Sequence, residues 1–302
     1  MDINYELYKV FYHVAVSLSF SEASKQLFIS QSAVSQSVKV LEKKLNQKLF
    51  IRSTKRVRLT PEGEVLLRHI EPAIHLIRRG ENQILETRSL NGGQLRIGAS
   101  DTICRHVLVP YLSRFHKEFP GVHIKVTNRT SIGCVELLES GQADLIFTNY
   151  PNSHLEHSGP LKKVLEFQDI FLANRNYFHL EHQRLSFREL LNYPILMLTR
   201  KSTTSEFLHN LFQQHQLDLV PEIELSSNDL LLDMAAIGLG IAFVPDYCRK
   251  SASPDLFPLT LTEALPKRQI MLVHNEQLPL SPAAAAFIRL FSQNTPELFQ
   301  KP

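Results

Sequence analysis

Beyond Asn91-Gly92-Gly93 the sequence changes rhythm, and that change constrains the fold more than any other feature. Short runs fit for strands (QLRIGA, HIKVTN, ADLIFTN, YPILMLT, EIELS, IAFVP and RQIMLVH) alternate with runs of helical period. The helical runs include VLVPYLSRFHKEF, CVELLESG, SEFLHNLFQQHQ and DLLLDMAAIG; Ser281-Pro282 then starts a last helix, AAAAFIRLF. Consecutive parallel strands need a crossover long enough to hold a helix, so this alternation predicts an α/β domain with mainly parallel sheets over residues 93–302.

Upstream of the break the pattern is helical. Leu7, Val10, Phe11, Val14, Ala15 and Leu18 recur at helical spacing over Asn4–Ser17. Ser21 is placed to cap a short second helix, SEASKQL, with Glu22 in its first turn. Ser30 is placed to cap a third, Gln31 to Leu45, after a tight turn at Phe28-Ile29. LFIRSTKRVRLT alternates apolar and basic residues, as a short hairpin does. Thr60-Pro61-Glu62 starts a helix running to about Leu90, with Val65, Leu66, Ile70, Ala73, Ile74, Ile77, Ile84 and Leu85 mostly on one stripe. The simplest partner for such a stripe is a second copy of itself. Pro72 and Gly80 interrupt it, and Pro72 is expected to kink the helix.

Charge is uneven. The chain of 302 residues has a net charge of +3, yet residues 1–60 hold ten basic against four acidic residues, leaving −3 for the remainder. A basic end on a mildly acidic body suits a nucleic-acid binder. The opening residues lack a basic stretch and cleavage site of the secretory kind, and no run has the roughly 18 uncharged apolar residues of a membrane span. Three widely spaced cysteines, Cys104, Cys134 and Cys248, are no disulfide framework. The expected location is cytoplasmic.

With Val34, Val38, Leu41 and Leu45 turned inward, the third helix presents Gln31, Ser32, Ser35, Gln36 and Lys39 outward near its N-terminus. That is the end a helix-turn-helix unit sets into the major groove, where Gln pairs with adenine and small hydroxyls permit close approach. Such a face is ordinary on an isolated surface helix; the preceding capped helix, the tight turn and the basic run after it change the odds. Arg52, Lys55, Arg56 and Arg58 are spaced to contact phosphates along a wing, and Ser21 joins them at the start of the second helix.

The run from Ser19 to Leu67 resembles the winged helix-turn-helix of LysR-type transcriptional regulators. The match lies in Ala23, Leu27, Ser30-Gln31, Ala33, Val34-Ser35, Leu41-Glu42, Leu49-Phe50, Arg52, Leu59-Thr60 and Gly63. Ser32 stands where the family often has Pro. QLRIGAS, LSRFHKEFPGV, LLESGQADLIF and DMAAIGLGIAFVPDY resemble the family's effector-binding domain in the same order. The resemblance implies a winged helix-turn-helix at 1–60, a dimerising linker helix at 61–90, and a two-lobed effector domain like periplasmic solute-binding proteins at 93–302. Its first lobe would hold 93–163 and 269–302, its second 164–268. It further implies a homodimer or homotetramer, a dyad-symmetric double-stranded DNA operator, RNA polymerase as a further partner, and a small effector.

Ligands of open α/β sheets bind beyond the carboxyl ends of strands. Those joints carry Ser100, Asp101 and Thr102; Arg129, Thr130 and Ser131; Thr148 and Asn149; Thr199, Arg200, Lys201, Ser202 and Thr203; and Ser227 and Asn228. They suit a small polar or anionic molecule, with Arg129, Arg200 or Lys201 as countercharge. The effector set is Ser100, Thr102, Arg129, Thr130, Ser131, Thr148, Thr199, Lys201, Ser202, Thr203 and Asn228. For any one of them, plain helix capping is an equal reading. Gly238-Leu239-Gly240 precedes a strand and lacks a third Gly at Phe243, so it is a helix end and turn rather than a dinucleotide fingerprint. The pairs His154/His157 and His179/His182 have no nearby Cys and read as solvated surface rather than a metal site. No cofactor is expected, and no nucleophile–base pattern marks an enzyme. Rival readings are a regulator sensing redox state through Cys104 or Cys134, whose thiols would be activated at helix N-termini, and a small-molecule binder or enzyme without DNA binding.

Overall fold

The structure is a computed structural model, and it describes residues 3–52, 56–86, 93–155, 161–276 and 278–291. The chain forms two units, one of Met1–Arg88 with Ser140–Gln142 and the other of Ser89–Glu139 with Ala143–Pro302.

The first unit begins with three helices, α1 (Tyr5–Ser17), α2 (Phe20–Leu27) and α3 (Gln31–Leu45). Val10, Phe11, Val14, Phe20, Ala23, Val34, Val38, Leu41, Leu49 and Phe50 form its core. The cap of α2 is Ser19, whose hydroxyl accepts from Glu22 N at 3.2 Å, and not Ser21, which lies exposed inside the first turn. Phe20 decides this: its ring packs 5.7 Å from that of Phe50, so the helix must begin early enough to turn it inward. Ser30 caps α3 as expected, accepting from Ala33 N. The turn between α2 and α3 passes through Phe28 in the left-handed region, φ 55°.

Strands β1 (Phe50–Arg52) and β2 (Val57–Leu59) pair antiparallel as the wing. Helix α4 (Pro61–Glu86) follows and is continuous through Pro72 and Gly80. Leu66, Leu67 and Ile70 pack into the core, whereas Val65, Ile77 and Ile84 are exposed.

The second unit is built on nine strands: β3 (Gly93–Ala99), β4 (Val122–Asn128), β5 (Leu145–Tyr150), β6 (Leu161–Asn174), β8 (Ile195–Leu198), β9 (Ile223–Leu225), β10 (Ile241–Pro245), β11 (Leu256–Pro258) and β13 (Lys267–Val273). Their order is β4-β3-β5-β13-β6-β10-β8-β9, with β11 beside β6. β7 (Arg184–Leu185) and β12 (Thr260–Leu261) form a separate parallel pair. The sheet is mixed, not mainly parallel. β3, β4 and β5 run parallel, as do β8, β9 and β10, but β13 is antiparallel to β5 and β6, and β6 is antiparallel to β10. The sequence reading assigned no strand where β6 lies. Its residues 161–168 pair with β13 and residues 169–172 with β10, so one strand joins two half-sheets and changes neighbours at Gln168/Asp169.

Helices cover both faces of each half. In the first, α5 (Asp101–Ile103), a π turn (Cys104–Leu108), α6 (Val109–Glu118) and α11 (Pro282–Leu290) cover one face, and α7 (Ser131–Glu139) the other. Helical structure thus starts at Asp101, earlier than VLVPYL suggests, because Ser100 caps it by accepting from Ile103 N. In the second half, α8 (Phe187–Leu190) and α9 (Thr203–Gln214) lie on one face and α10 (Asn228–Ala236) on the other. β10 shows the consequence: Ile241 and Phe243 enter one core, Ala242 and Val244 the other. A strand buried on both faces reads as an unbroken apolar run, IAFVP. Gly238, at φ +83°, turns the chain after α10, and a Cβ on Gly240 would meet the Pro194 carbonyl, so this Gly-Leu-Gly serves a helix end and a close crossing.

Candidate functional site

Two sites follow from this framework. In the first unit, α3 is held rigidly behind its outward face. Glu42, buried, accepts from Leu49 N at 2.9 Å and Phe50 N at 3.4 Å, and pairs with Lys48 at 3.4 Å, fixing the last turn of α3 to the start of the wing. Thr60 Oγ1 donates to Lys48 O at 2.7 Å and accepts from Gly63 N at 3.0 Å, tying the same segment to α4. A Cβ at Gly63 would collide with Leu49 O, so only glycine allows this crossing. Asn46 ends α3 in the left-handed region at φ 52°, a conformation Asn tolerates.

Gln31, Ser32, Gln36 and Lys39 stand exposed on one face of α3, with Ser35 half-buried among them. The Ser32 hydroxyl lies 2.9 Å from that of Ser30. Arg56 and Arg58 are exposed on the wing, with Val57 and Leu59 turned toward the core. Arg52 closes β1, and Lys55 lies outside the described residues. Sequence reasoning singled out Glu42 and Thr60 only as matches to the family pattern, and Thr60 as a helix-start hydroxyl; their positioning role shows only in the fold.

In the second unit, a cavity of about 240 Å³ opens at the carboxyl ends of the strands from both half-sheets. Of the expected effector residues, Ser100, Thr102, Arg129, Thr130, Ser131, Thr199, Ser202, Thr203 and Asn228 line it. Thr148 and Lys201 do not. Thr148 falls on the strand face beneath α7, fully buried, where it accepts from Asn152 Nδ2 at 3.0 Å. Lys201 is exposed, on the turn before the Ser202 cap. Asn128, Thr204, Ser226 and Tyr247 also line the cavity. They escape a search of strand-to-helix joints because two lie just before the joint, one inside α9 and one beyond β10.

Capping and lining coincide in several residues. Ser100, Thr130 and Ser202 hydroxyls accept from Ile103 N, Gly133 N and Ser205 N, whereas Ser227 makes no such bond to α10. Arg129 lies exposed and donates to Asn128 O at 3.0 Å. The half-sheets meet through side chains here: Asn228 Nδ2 donates to Thr102 Oγ1 at 3.0 Å, and Arg105 pairs with Asp229 at 2.6 Å. Behind the wall, Arg268 is 1 % exposed, pairs with Asp169 at 2.8 Å, and lies 4.8 Å from the Phe207 ring. Burial raises the pKa of the Asp169 carboxyl, and Arg268 offsets part of that rise.

The thiols show no lowering of the kind a helix N-terminus gives. Burial pushes Cys104 up to about 11 and Cys134 up to about 12, the opposite of a helix-terminus effect. His179 and His182 are exposed, and His157 lies outside the described residues; among the described residues no three His, Cys, Asp or Glu side chains gather as a metal site. Among the described residues no helix is long and apolar enough to cross a membrane.

Comparison with known proteins matches both units. Residues 5–64 match the model of bacterial regulatory helix-turn-helix proteins of the lysR family, and residues 88–296 match the LysR substrate binding domain. The chain is 27 % identical over 242 residues to the transcriptional activator CmpR of Synechocystis, covering 80 % of this chain and 78 % of that one. It is 28 % identical over 249 residues to the transcriptional regulator CrgA of Neisseria meningitidis, covering 82 % and 81 %. CbnR, a LysR family regulator, shares the fold with a TM-score of 0.66 at 18 % identity, over 96 % of this chain and 99 % of that one. The regulatory domain of Synechocystis CcmR, solved with 2-PG, shares it with a TM-score of 0.60 at 21 % identity, over 66 % and 95 %. With a capped α2–α3 unit and its wing in one model and the cavity-bearing unit in the other, the chain belongs to the LysR family of DNA-binding transcriptional regulators.

Proposed function

We infer that α3 enters the major groove of a dyad-symmetric operator. Gln31, Ser32, Ser35, Gln36 and Lys39 face base edges, and Arg52, Lys55, Arg56 and Arg58 contact phosphates beside it. Ser21, exposed at the start of α2, adds a backbone contact. The single observation carrying this reading is the exposed polar face at the N-terminal end of α3, beside a wing on which Arg56 and Arg58 are exposed. The working division is 1–60 for DNA binding, 61–90 as linker, and 93–302 for effector binding, with lobes 93–163 plus 269–302 and 164–268. Two or four copies associate, the exposed Val65, Ile77 and Ile84 of α4 supplying an apolar stripe for a second copy. A small polar or anionic effector occupies the cavity between the half-sheets, with no further cofactor; the similar regulatory domain of CcmR was solved in complex with 2-PG, which supports a small anionic ligand. Ligand contact with both halves biases their relative arrangement and so DNA binding. The regulator acts in the cytoplasm, with RNA polymerase as a further partner.

The test is an equilibrium titration of the full chain on duplex DNA across a salt series. Log affinity falls with log salt at a slope of about −0.9 per phosphate contact, so Arg56→Ala and Arg58→Ala each flatten the slope by about one contact. Gln31→Ala leaves the slope unchanged. Wing variants that keep the wild-type slope refute this placement of the wing.

A further inference from the structure

The outward face of α3 continues past the residues assigned to base edges. At about 100° per residue, Lys43 stands about 40° from Lys39 around the helix, whereas Lys44 stands about 140° from it. Lys43 is exposed and lies twelve residues beyond Gln31, a rise of about 18 Å at about 1.5 Å per residue. The major groove is about 12 Å wide. A straight helix whose first two turns lie over base edges therefore carries its last two turns to the rim of that groove, where a phosphate strand runs.

A protein groove of about 500 Å³ opens at that end, between the C-terminal half of α3, the turn after it and the first turn of α4. Lys39, Lys43 and Lys48 supply its cations, and Asn46 and Gln47, both exposed, supply amide donors. Lys48 is not a loose surface side chain. Its carbonyl accepts from Thr60 Oγ1 at 2.7 Å, and its ammonium pairs at 3.4 Å with Glu42, a residue 5 % exposed. Glu42 is itself engaged by the N–H groups of Leu49 and Phe50. Glu62 also lines the groove, as the acid that suits the first turn of α4. Three ammonium groups stand there against two carboxylates, one of them buried and hydrogen-bonded, so the groove keeps a net positive charge.

We propose that this groove seats the sugar–phosphate backbone of the operator at the rim of the major groove, with Lys43 and Lys48 as phosphate contacts additional to those of the wing. This rests on the placement of α3 in the major groove. A phosphate contact strengthens binding on every sequence and carries no base preference, so Lys43 and Lys48 hold the register of α3 and leave the choice of bases to its first turns.

Equilibrium titration of the full chain on a mixed-sequence duplex across a salt series tests this. Lys43→Ala and Lys48→Ala each flatten the slope of log affinity against log salt by about 0.9, and the two together by about 1.8. Lys44→Ala, which removes an exposed lysine off that face, keeps the wild-type slope. Lys48→Ala also breaks the pair with Glu42, so melting of each variant accompanies the titration, and Lys43→Ala carries the test by itself should Lys48→Ala fail to fold. Wild-type slopes for the folded lysine variants, with Arg56→Ala and Arg58→Ala still flattening theirs, overturn the groove and leave α3 in its place. A slope flattened as much by Lys44→Ala as by Lys43→Ala also overturns the groove, because the effect is then one of general surface charge. Unchanged slopes for all four of Lys43→Ala, Lys48→Ala, Arg56→Ala and Arg58→Ala overturn both the groove and the placement it rests on.

Discussion

Arg268→Met removes one partner of a fully buried ion pair. The wild-type guanidinium and the Asp169 carboxylate have no side-chain exposure, and Asp169 Oδ1 already lacks a hydrogen-bond partner. Breaking such a pair leaves a charge in a low-dielectric interior and costs about 3–5 kcal/mol. The exchange keeps an apolar chain against Phe167 and Phe207, so packing loss is small. For a unit of this size, about 2–4 °C per kcal/mol converts the loss to a melting-temperature drop on the order of 10 °C. The sign of its pH dependence follows from burial, which raises the Asp169 pKa and does so further once Arg268 is gone. An acid with a raised folded pKa costs nothing while protonated in both states, and stability falls as pH rises toward the folded value. The deficit of Arg268→Met is therefore smaller at pH 5 than at pH 8. The double variant Asp169→Leu/Arg268→Met regains most of the loss, because apolar groups replace both charges. Calorimetric melting of the full chain at both pH values checks this. A single-variant loss below about 1 kcal/mol, or a double variant no better than the single, refutes the account of the pair.

Other predictions are local. Phe28 is 95 % exposed and held at φ 55°, so Phe28→Gly relieves left-handed strain and raises stability by about 0.5–1 kcal/mol in urea unfolding. Glu42→Ala strips two backbone donors at Leu49 and Phe50 of their acceptor and costs about 1–3 kcal/mol, read in the same assay as loss of the first unit's transition. His106 has its pKa lowered chiefly by burial, partly restored by Asp229. A base with a depressed folded pKa binds its proton first in the unfolded chain. Stability is therefore full above pH ~6.5 and declines as pH falls below it, and His106→Phe flattens that decline in a pH series of melts.

The first unit was legible because its determinants are local. Ser30, Val34, Val38 and Leu41 specify a capped helix and its buried face within a dozen residues. The error at Ser21 shows the limit: SLSFSEAS offers several capping hydroxyls, and the choice is made by Phe20 reaching Phe50, thirty residues away. Strand β6 was missed because its pattern mixes Glu166 and Asp169 into apolar residues. Glu166 is met by Lys163 and Lys267, and Asp169 by Arg268, partners about a hundred residues downstream in two of those three cases. In the cavity, the joint rule brought out the hydroxyl-bearing turns but not which side chains face inward. Strand alternation puts Thr148 under α7 and Asn149 in the wall, and Arg268, which donates to the hydroxyls of Thr203 and Thr204, lies on a distant strand.

Selection of binding sites from a randomised duplex library, with the full chain, tests the central claim most directly. The account predicts an enriched inverted repeat whose half-sites are one helical turn, roughly 10 base pairs, or a multiple of it apart, and relaxed preference within each half-site for Gln31→Ala. A library left unenriched by the folded wild-type chain, or an enriched motif that Gln31→Ala, Ser35→Ala and Gln36→Ala all leave unchanged, would contradict it.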